Sequence, residues 1–144
     1  MLLRALREVR PTHVLVVSDG PRNTADVPLC NECRNLIETI DWPCRIDINY
    51  STSNLGCRVR LATGITWTLE QVEECIILED DCIPHPSFFR FASRMLDVYR
   101  SNEEIMMISG DQPLGVWPSA YSYQVSKHAL IWGWATWRRA WKYY

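Results

Sequence analysis

The stretch Cys75-Ile76-Ile77-Leu78-Glu79-Asp80-Asp81 joins a short apolar run to three adjacent carboxylates. A run that is continuously apolar, rather than alternating, is typical of a parallel strand covered on both faces. Three adjacent carboxylates repel one another, and a bound divalent cation would offset that repulsion. Their hard oxygen ligands suit Mg²⁺ or Mn²⁺, which proteins usually bind with few carboxylates together with substrate phosphates. The alternative is a solvated acidic turn that caps the following helix.

Strand and helix patterns alternate on either side of this stretch. Apolar strand patterns occur at 13–18, 44–50, 75–78 and 105–108, and helical patterns occur at 1–8, 26–40, 56–71 and 87–100. The alternation predicts an α/β fold with a Rossmann-like, mostly parallel sheet and helices on both faces, formed by residues 1–144 as a single domain. Because the pattern opens on a helix and stops inside an amphipathic segment at Tyr144, we expect the first strand and the C-terminal acceptor-binding part to be missing.

The composition is ordinary for a globular protein and excludes several classes. The chain has 144 residues, of which 47% are apolar and 22% charged, and its net charge is −2. This charge argues against nucleic-acid binding, and no apolar run reaches the ~18 residues of a transmembrane helix. The six cysteines occur without an export signal, which predicts reduced thiols and a cytoplasmic location. A zinc site at Cys30 and Cys33 stays open as an alternative, although such a site usually needs a second ligand pair.

Acidic or amide side chains follow each predicted strand. Asp19 follows the first strand, Asn54 the second, the acidic triplet the third and Asp111 the fourth. In open α/β sheets, ligands bind outside the carboxyl ends of the strands. Asp19 could therefore accept hydrogen bonds from a ribose or a base, or it could be a turn residue beside Gly20. Asp111 could be an acceptor-side carboxylate or a residue that starts a turn.

Two further groups of side chains are candidates for ligand binding. Asn54 could cap a helix that carries Arg58 and Arg60, whose guanidinium groups match phosphate oxygens, or these arginines could be solvated helix positions. The segment from Ile131 to Trp141 carries four of the seven tryptophans. We interpret most of them as core residues of an amphipathic helix, and Trp132 and Trp134 as candidates for a wall against a sugar.

At these residues the sequence resembles the family 2-like glycosyltransferases. The stretch from Ile76 to Asp81, followed by Pro84, Pro86 and Phe88-Phe89, resembles the DXD-type metal motif of that family. Its acidic triplet is also similar to that of the Golgi N-acetylglucosaminyltransferase that acts first on hybrid glycans. Four other segments stand in the order expected of bacterial members: Val17-Ser18-Asp19-Gly20, Ser53-Asn54-Leu55-Gly56, Ile108-Ser109-Gly110-Asp111 and Trp132-Gly133-Trp134-Ala135-Thr136-Trp137.

The resemblance implies a nucleotide-diphospho-sugar transferase fold with Mn²⁺ or Mg²⁺ as cofactor. It implies that Asp81 is a direct metal ligand, that Asp80 and Glu79 contact the ribose, the metal or its waters, and that Asp19 faces the nucleoside. A UDP-sugar is the favoured donor, and a carbohydrate or another hydroxyl compound is the acceptor. Bacterial relatives that build surface polysaccharide suggest that pathway by analogy.

The reaction expected from the resemblance is an inverting sugar transfer. A carboxylate would deprotonate the acceptor hydroxyl, and Asp111 is the candidate that this chain offers. A nucleotidyltransferase is disfavoured because no Gly-rich phosphate loop occurs early in the chain. The remaining alternative is a truncated or inactive homologue that only binds nucleotide or sugar.

Overall fold

The computed structural model describes residues 1–113, 115, 118 and 120–144 of the chain. The elements, in order, are α1 (Leu2–Val9), β1 (His13–Ser18), α2 (Asp26–Asn35) with a following 3-10 turn (Leu36–Thr39), β2 (Arg45–Tyr50), α3 (Cys57–Gln71), β3 (Glu74–Ile77), α4 (Pro86–Val98), β4 (Met107–Ser109), β5 (Trp134–Trp137) and α5 (Arg138–Trp141). The chain divides into two compact units. The N-terminal unit is Leu3–Gln71, and the C-terminal unit is Val72–Tyr144 together with Met1–Leu2.

The N-terminal unit is built on a two-stranded parallel sheet. β1 and β2 pair in register from His13 opposite Arg45 to Ser18 opposite Tyr50. On one face α3 packs closely, because Gly64 lies against Val17 where a Cβ atom would come within 2.5 Å of that side chain. Successive strand residues point to opposite faces, so Tyr50, which pairs with the residue after Val17, faces the other side of the sheet. Arg34 of α2 lies on that side, with its guanidinium carbon 4.7 Å from the centroid of the Tyr50 ring.

The C-terminal unit contains a three-stranded sheet in the order β3-β5-β4, in which β5 runs antiparallel to both neighbours. α4 covers one face of this sheet. It begins with Pro86 in its first turn, and the side chain of His85 accepts a hydrogen bond from the Ser87 N–H. The core formed by α4, the sheet and α5 consists of the buried residues Ala92, Met95, Leu96, Ile108, Ala135, Trp137 and Ala140.

The predicted α/β class is confirmed, whereas the Rossmann-like, mostly parallel sheet is not. The described strands form a parallel pair and a separate antiparallel group of three. The difference arises at Trp134–Trp137, which lies in the segment interpreted as an amphipathic helix but forms β5. This strand pairs with both β3 and β4 and so separates them. The helical pattern is realised only in the short α5 that follows.

The other predicted elements occur close to their expected positions, with two shifts. The helix expected at 26–40 ends at Asn35 and continues as the 3-10 turn. The strand expected at 105–108 is the three-residue β4, Met107–Ser109. In the described part of the chain, no helix combines the length and apolar character needed to cross a membrane.

Candidate functional site

The acidic triplet forms a turn directly after β3. The N–H of Cys82 donates to the carbonyl of Glu79 at 3.1 Å, so Asp80 and Asp81 are the two central residues of this carboxylate turn, Glu79–Cys82. Both central side chains are exposed, and Glu79 is half-buried. Among the residues that the structure describes, none of the three carboxylates makes an ion pair or a side-chain hydrogen bond. The fold therefore leaves three adjacent negative charges without compensation.

The pairing of β5 brings the ends of β3 and β4 to the same edge of the sheet. Trp134 is opposite Ile77 on one side and opposite Ser109 on the other. Since both neighbours are antiparallel to β5, they run in the same direction and their carboxyl ends meet at one edge. Asp81 after β3 and Asp111 after β4 consequently line the same cleft.

Close packing of Phe88 fixes this edge of the sheet. The N–H of Gly110 donates to the carbonyl of Gly133 at 2.9 Å, which ties the end of β4 to the start of β5. The ring of Phe88 lies where a Cβ atom of residue 110 would stand, so only glycine fits there. Gly133 has a φ of 79°, a backbone conformation that favours glycine. This packing and hydrogen bond thus define the end of β4, from which Asp111 follows.

A large open cleft begins at this edge and follows α4. Its volume is about 1930 Å³, and we call it the α4 cleft. The lining residues between Leu78 and Ser109 form what we call its α4 side, and those of the segment 121–133 form what we call its opposite wall. Trp132, which is 62% exposed, lines this cleft. Trp134 does not line it, and the centroid of its ring lies 6.3 Å from that of Trp141.

Asp19, in the N-terminal unit, has a very different environment. Its carboxylate accepts hydrogen bonds from the backbone N–H groups of Gly20 at 2.8 Å, Leu55 at 2.9 Å and Gly56 at 3.0 Å, and from the Asn54 amide at 3.0 Å. Burial alone would raise the pKa of Asp19, but the hydrogen bonds from Leu55, Gly20 and Gly56 hold it below its ordinary value. Asp19 therefore joins the segments 18–20 and 51–56, which we call the Asp19 loop pair.

Two arginines reinforce the Asp19 loop pair. Arg60 is only 8% exposed and donates to the carbonyls of Ser18 and Asn49 and to the Asn49 side chain. Arg34 donates to the Asp19 carbonyl at 2.9 Å and to the Ser51 carbonyl at 2.8 Å. Both guanidinium groups are thus used to bind strand-end carbonyls.

The predicted site residues of this unit fall into two groups. Asp19 and Asn54 are brought together as neighbours, while Arg58 is exposed on the first turn of α3. Arg60 faces inward, so it is not the solvated helix position that was one of its two interpretations. Sequence reasoning missed Arg34. A single arginine on a predicted helix carries no distinctive signal, and its hydrogen bonds to Asp19 and Ser51 become apparent only in the fold.

The described residues contain neither a preformed metal cluster nor a disulfide. In the described residues, no group of three or more His, Cys, Asp or Glu side chains could hold a metal ion. All six cysteines, including Cys30 and Cys33, are free thiols. Comparisons of the chain with protein-family models, with curated proteins and with solved structures found no match.

Proposed function

We propose that this chain is the metal- and nucleotide-binding part of a glycosyltransferase, which transfers a sugar from a nucleotide-diphosphate donor to an acceptor hydroxyl, with inversion. The observation that carries the proposal is the carboxylate turn. Asp80 and Asp81 are exposed at the end of β3 and, within the described residues, pair with no cation, and Asp81 lines a cleft together with Asp111. Adjacent like charges raise the free energy of the fold, and a bound cation would offset this repulsion.

The donor atoms of the turn fit a hard divalent cation. Mg²⁺ is usually bound through one or two carboxylates together with substrate phosphates, so a cluster of three protein ligands is not required. Asp81 would hold Mn²⁺ or Mg²⁺ with Asp80, and Glu79 would bind its waters or the donor ribose. When bound, the cation supplies positive charge that stabilises the departing diphosphate.

Asp111 is the group that we assign to the acceptor. Its backbone N–H donates a hydrogen bond to the Ser109 hydroxyl oxygen at 3.2 Å, which fixes the backbone at the end of β4. A carboxylate held there could remove the proton of an acceptor hydroxyl as general base. Trp134 contributes to the same edge of the sheet and is the proposed neighbour of the donor sugar.

The remaining parts of the proposal concern the donor and the setting. We propose a UDP-sugar donor, a nucleotide-diphospho-sugar transferase type of sheet and contacts from Asp19, Asn54 and Arg58 to the nucleotide. Because the Asp19 carboxylate is hydrogen-bonded to the backbone of residues 55 and 56, it would contribute to nucleotide binding mainly by shaping the Asp19 loop pair.

We also propose a cytoplasmic location, which the six free thiols support.

The proposal is tested by calorimetric titration of UDP into the purified chain with and without Mn²⁺. We expect binding that requires Mn²⁺ and that weakens at least about tenfold in Asp81→Asn, because a metal ligand is lost. Glu103→Gln, which removes an exposed carboxylate elsewhere in the same unit, is the matched control and should bind like the parent chain. If neither UDP nor GDP binds to the folded chain with Mn²⁺, the proposal is wrong.

A further inference from the structure

The α4 cleft is larger than a site for one small molecule. Its volume of about 1930 Å³ exceeds the roughly 300–1,000 Å³ of most small-ligand pockets. It reaches from Asp81 and Asp111 at the strand ends to Tyr99, the residue that follows α4. The 13 residues of α4 correspond to a length of about 20 Å at 1.5 Å per residue. An extended ligand fits these dimensions better than a compact one.

Aromatic side chains line this cleft on both walls. Phe91 and Tyr99 of the α4 side hold Tyr123 of the opposite wall, with ring centroids 6.1 Å and 6.4 Å apart and the two tyrosine hydroxyls at 2.8 Å. Tyr123 remains 41% exposed, Trp132 62% and Tyr121 80%. These rings therefore offer accessible faces in a wall that is itself tied to α4 through Tyr123.

The polar lining of the cleft is rich in neutral hydrogen-bonding groups. The lining includes the hydroxyl and amide side chains of Ser87, Ser109, Gln112, Ser122, Gln124 and Ser126. Rings that bind the apolar face of a molecule, combined with groups that bind its hydroxyls, match the two-sided chemistry of a sugar. The described charged residues of the lining are Asp81, Glu104, Asp111 and Lys127, so carboxylates exceed ammonium groups. This balance disfavours an anionic ligand.

From these observations we infer that the α4 cleft binds a neutral oligosaccharide, which is the acceptor of the transfer. The identification of this oligosaccharide as the acceptor rests on the proposed function, whereas oligosaccharide binding itself does not depend on it. Trp132 is the residue that contributes most, because its indole is exposed, lines the cleft and stands beside the fixed Gly133. Of the two tryptophans considered from the sequence, Trp132 is therefore the one that we assign to acceptor binding, whereas Trp134 belongs to β5 and does not line the α4 cleft.

The test is a titration of three neutral tetrasaccharides, cellotetraose, maltotetraose and chitotetraose, into the full chain without nucleotide or metal. Binding is followed by tryptophan fluorescence and by saturation-transfer NMR. We expect at least one tetrasaccharide to bind, and to bind more tightly than its disaccharide. Trp132→Ala should weaken that binding by about fivefold, Trp132→Phe by less, because a smaller ring remains for stacking.

Tyr143→Ala is the matched control, since Tyr143 is a 71% exposed aromatic residue of the same unit that does not line the α4 cleft. It should leave binding unchanged. The inference is wrong if no tetrasaccharide binds, if Tyr143→Ala weakens binding as much as Trp132→Ala, or if tetragalacturonate binds as tightly as the neutral sugars. Because nucleotide and metal are absent from this titration, its failure would not contradict the proposed function, which the UDP titration tests separately. Failure of the UDP titration would likewise not contradict oligosaccharide binding.

Discussion

The two units place acidic residues at equivalent positions, just after a strand, and treat them in opposite ways. The Asp19 carboxylate accepts four donors from its own chain. The carboxylates of Asp80 and Asp81 make no such contacts within the described residues. Position after a strand is therefore not sufficient to identify a ligand-binding carboxylate. The number of donors that the fold itself supplies separates a structural group from one that is available to a ligand.

The free energies of the two arrangements should differ in sign. Hydrogen bonds to a charged group are net stabilising, so Asp19 stabilises the fold. Adjacent exposed carboxylates contribute a small repulsion that solvent and salt reduce. Substitutions in the Asp19 loop pair should consequently be costly, whereas substitutions in the carboxylate turn should not.

The largest effect is expected for Gly20→Ala. A Cβ atom at residue 20 would lie 2.5 Å from the backbone of Ser53, which cannot move without breaking the Asp19 loop pair. We expect the free energy of unfolding to fall by about 3 kcal/mol or more, measured by urea unfolding.

Gly56→Ala is the matched control for this change. Gly56 has a φ of 78° but no atom within 4 Å of an added Cβ, so its substitution should cost only about 1–2 kcal/mol of backbone strain. Equal losses in the two variants would show that the two segments are not closely packed.

Asp19→Ala should cost about 2 kcal/mol at neutral pH, because three backbone N–H groups lose their acceptor. The pKa of Asp19 is lowered in the folded chain, so its contribution is present above the unfolded value of about 3.9 and is lost as the pH falls through the folded value. The stability difference between parent and variant should therefore shrink below about pH 4.

Asp41→Ala serves as the comparison for Asp19→Ala. The Asp41 side chain is 63% exposed and pairs with Arg7 at 3.0 Å, so the loss at neutral pH should stay below about 1 kcal/mol. Urea unfolding of both variants at pH 7 and pH 3 measures the difference. A pH-independent loss in Asp19→Ala would contradict the assignment of a charged, hydrogen-bonded carboxylate.

A smaller effect is expected in β3, the strand that carries the carboxylate turn. Burial raises the pKa of the Cys75 thiol to about 12, which keeps it protonated and unreactive. Cys75→Ser should cost about 1 kcal/mol, because a hydroxyl replaces an apolar thiol, whereas Cys33→Ser at an exposed position should cost almost nothing. Rapid reaction of Cys75 with a thiol reagent in the folded chain would show that β3 is not packed as described.

Local patterns were sufficient to predict most elements but not the sheet. β1 is a continuously apolar run and α3 follows a polar loop, and the structure contains both within a residue of the predicted bounds. β5 was missed because Trp134, Trp137 and Trp141 also fit helical spacing, and a strand that pairs with residues 25 to 63 positions away leaves no local signal. The position of β5 between β3 and β4 is determined by tertiary packing, which hydrophobic periodicity does not report.

The candidate site shows the same limit. The position of Asp81 and Asp111 at one sheet edge followed from the rule that ligands bind at the carboxyl ends of strands. The hydrogen bonding of the Asp19 carboxylate could not be predicted, because three of its four donors come from a loop 35 to 37 residues further along, at Asn54, Leu55 and Gly56. The accessible role of Trp132 and the packed role of Trp134 depend on the pairing of β5 and were equally hidden.

The central claim is that the carboxylate turn serves a ligand and not the fold. It is tested most directly by thermal unfolding of the double variant Asp80→Asn/Asp81→Asn with and without Mn²⁺. Without metal, we expect the double variant to be as stable as the parent within about 0.5 kcal/mol, since it removes only exposed, repelling charges. Mn²⁺ should raise the unfolding temperature of the parent by mass action and leave that of the double variant unchanged. A double variant that is clearly less stable without metal, or one that Mn²⁺ stabilises as much as the parent, would contradict the account.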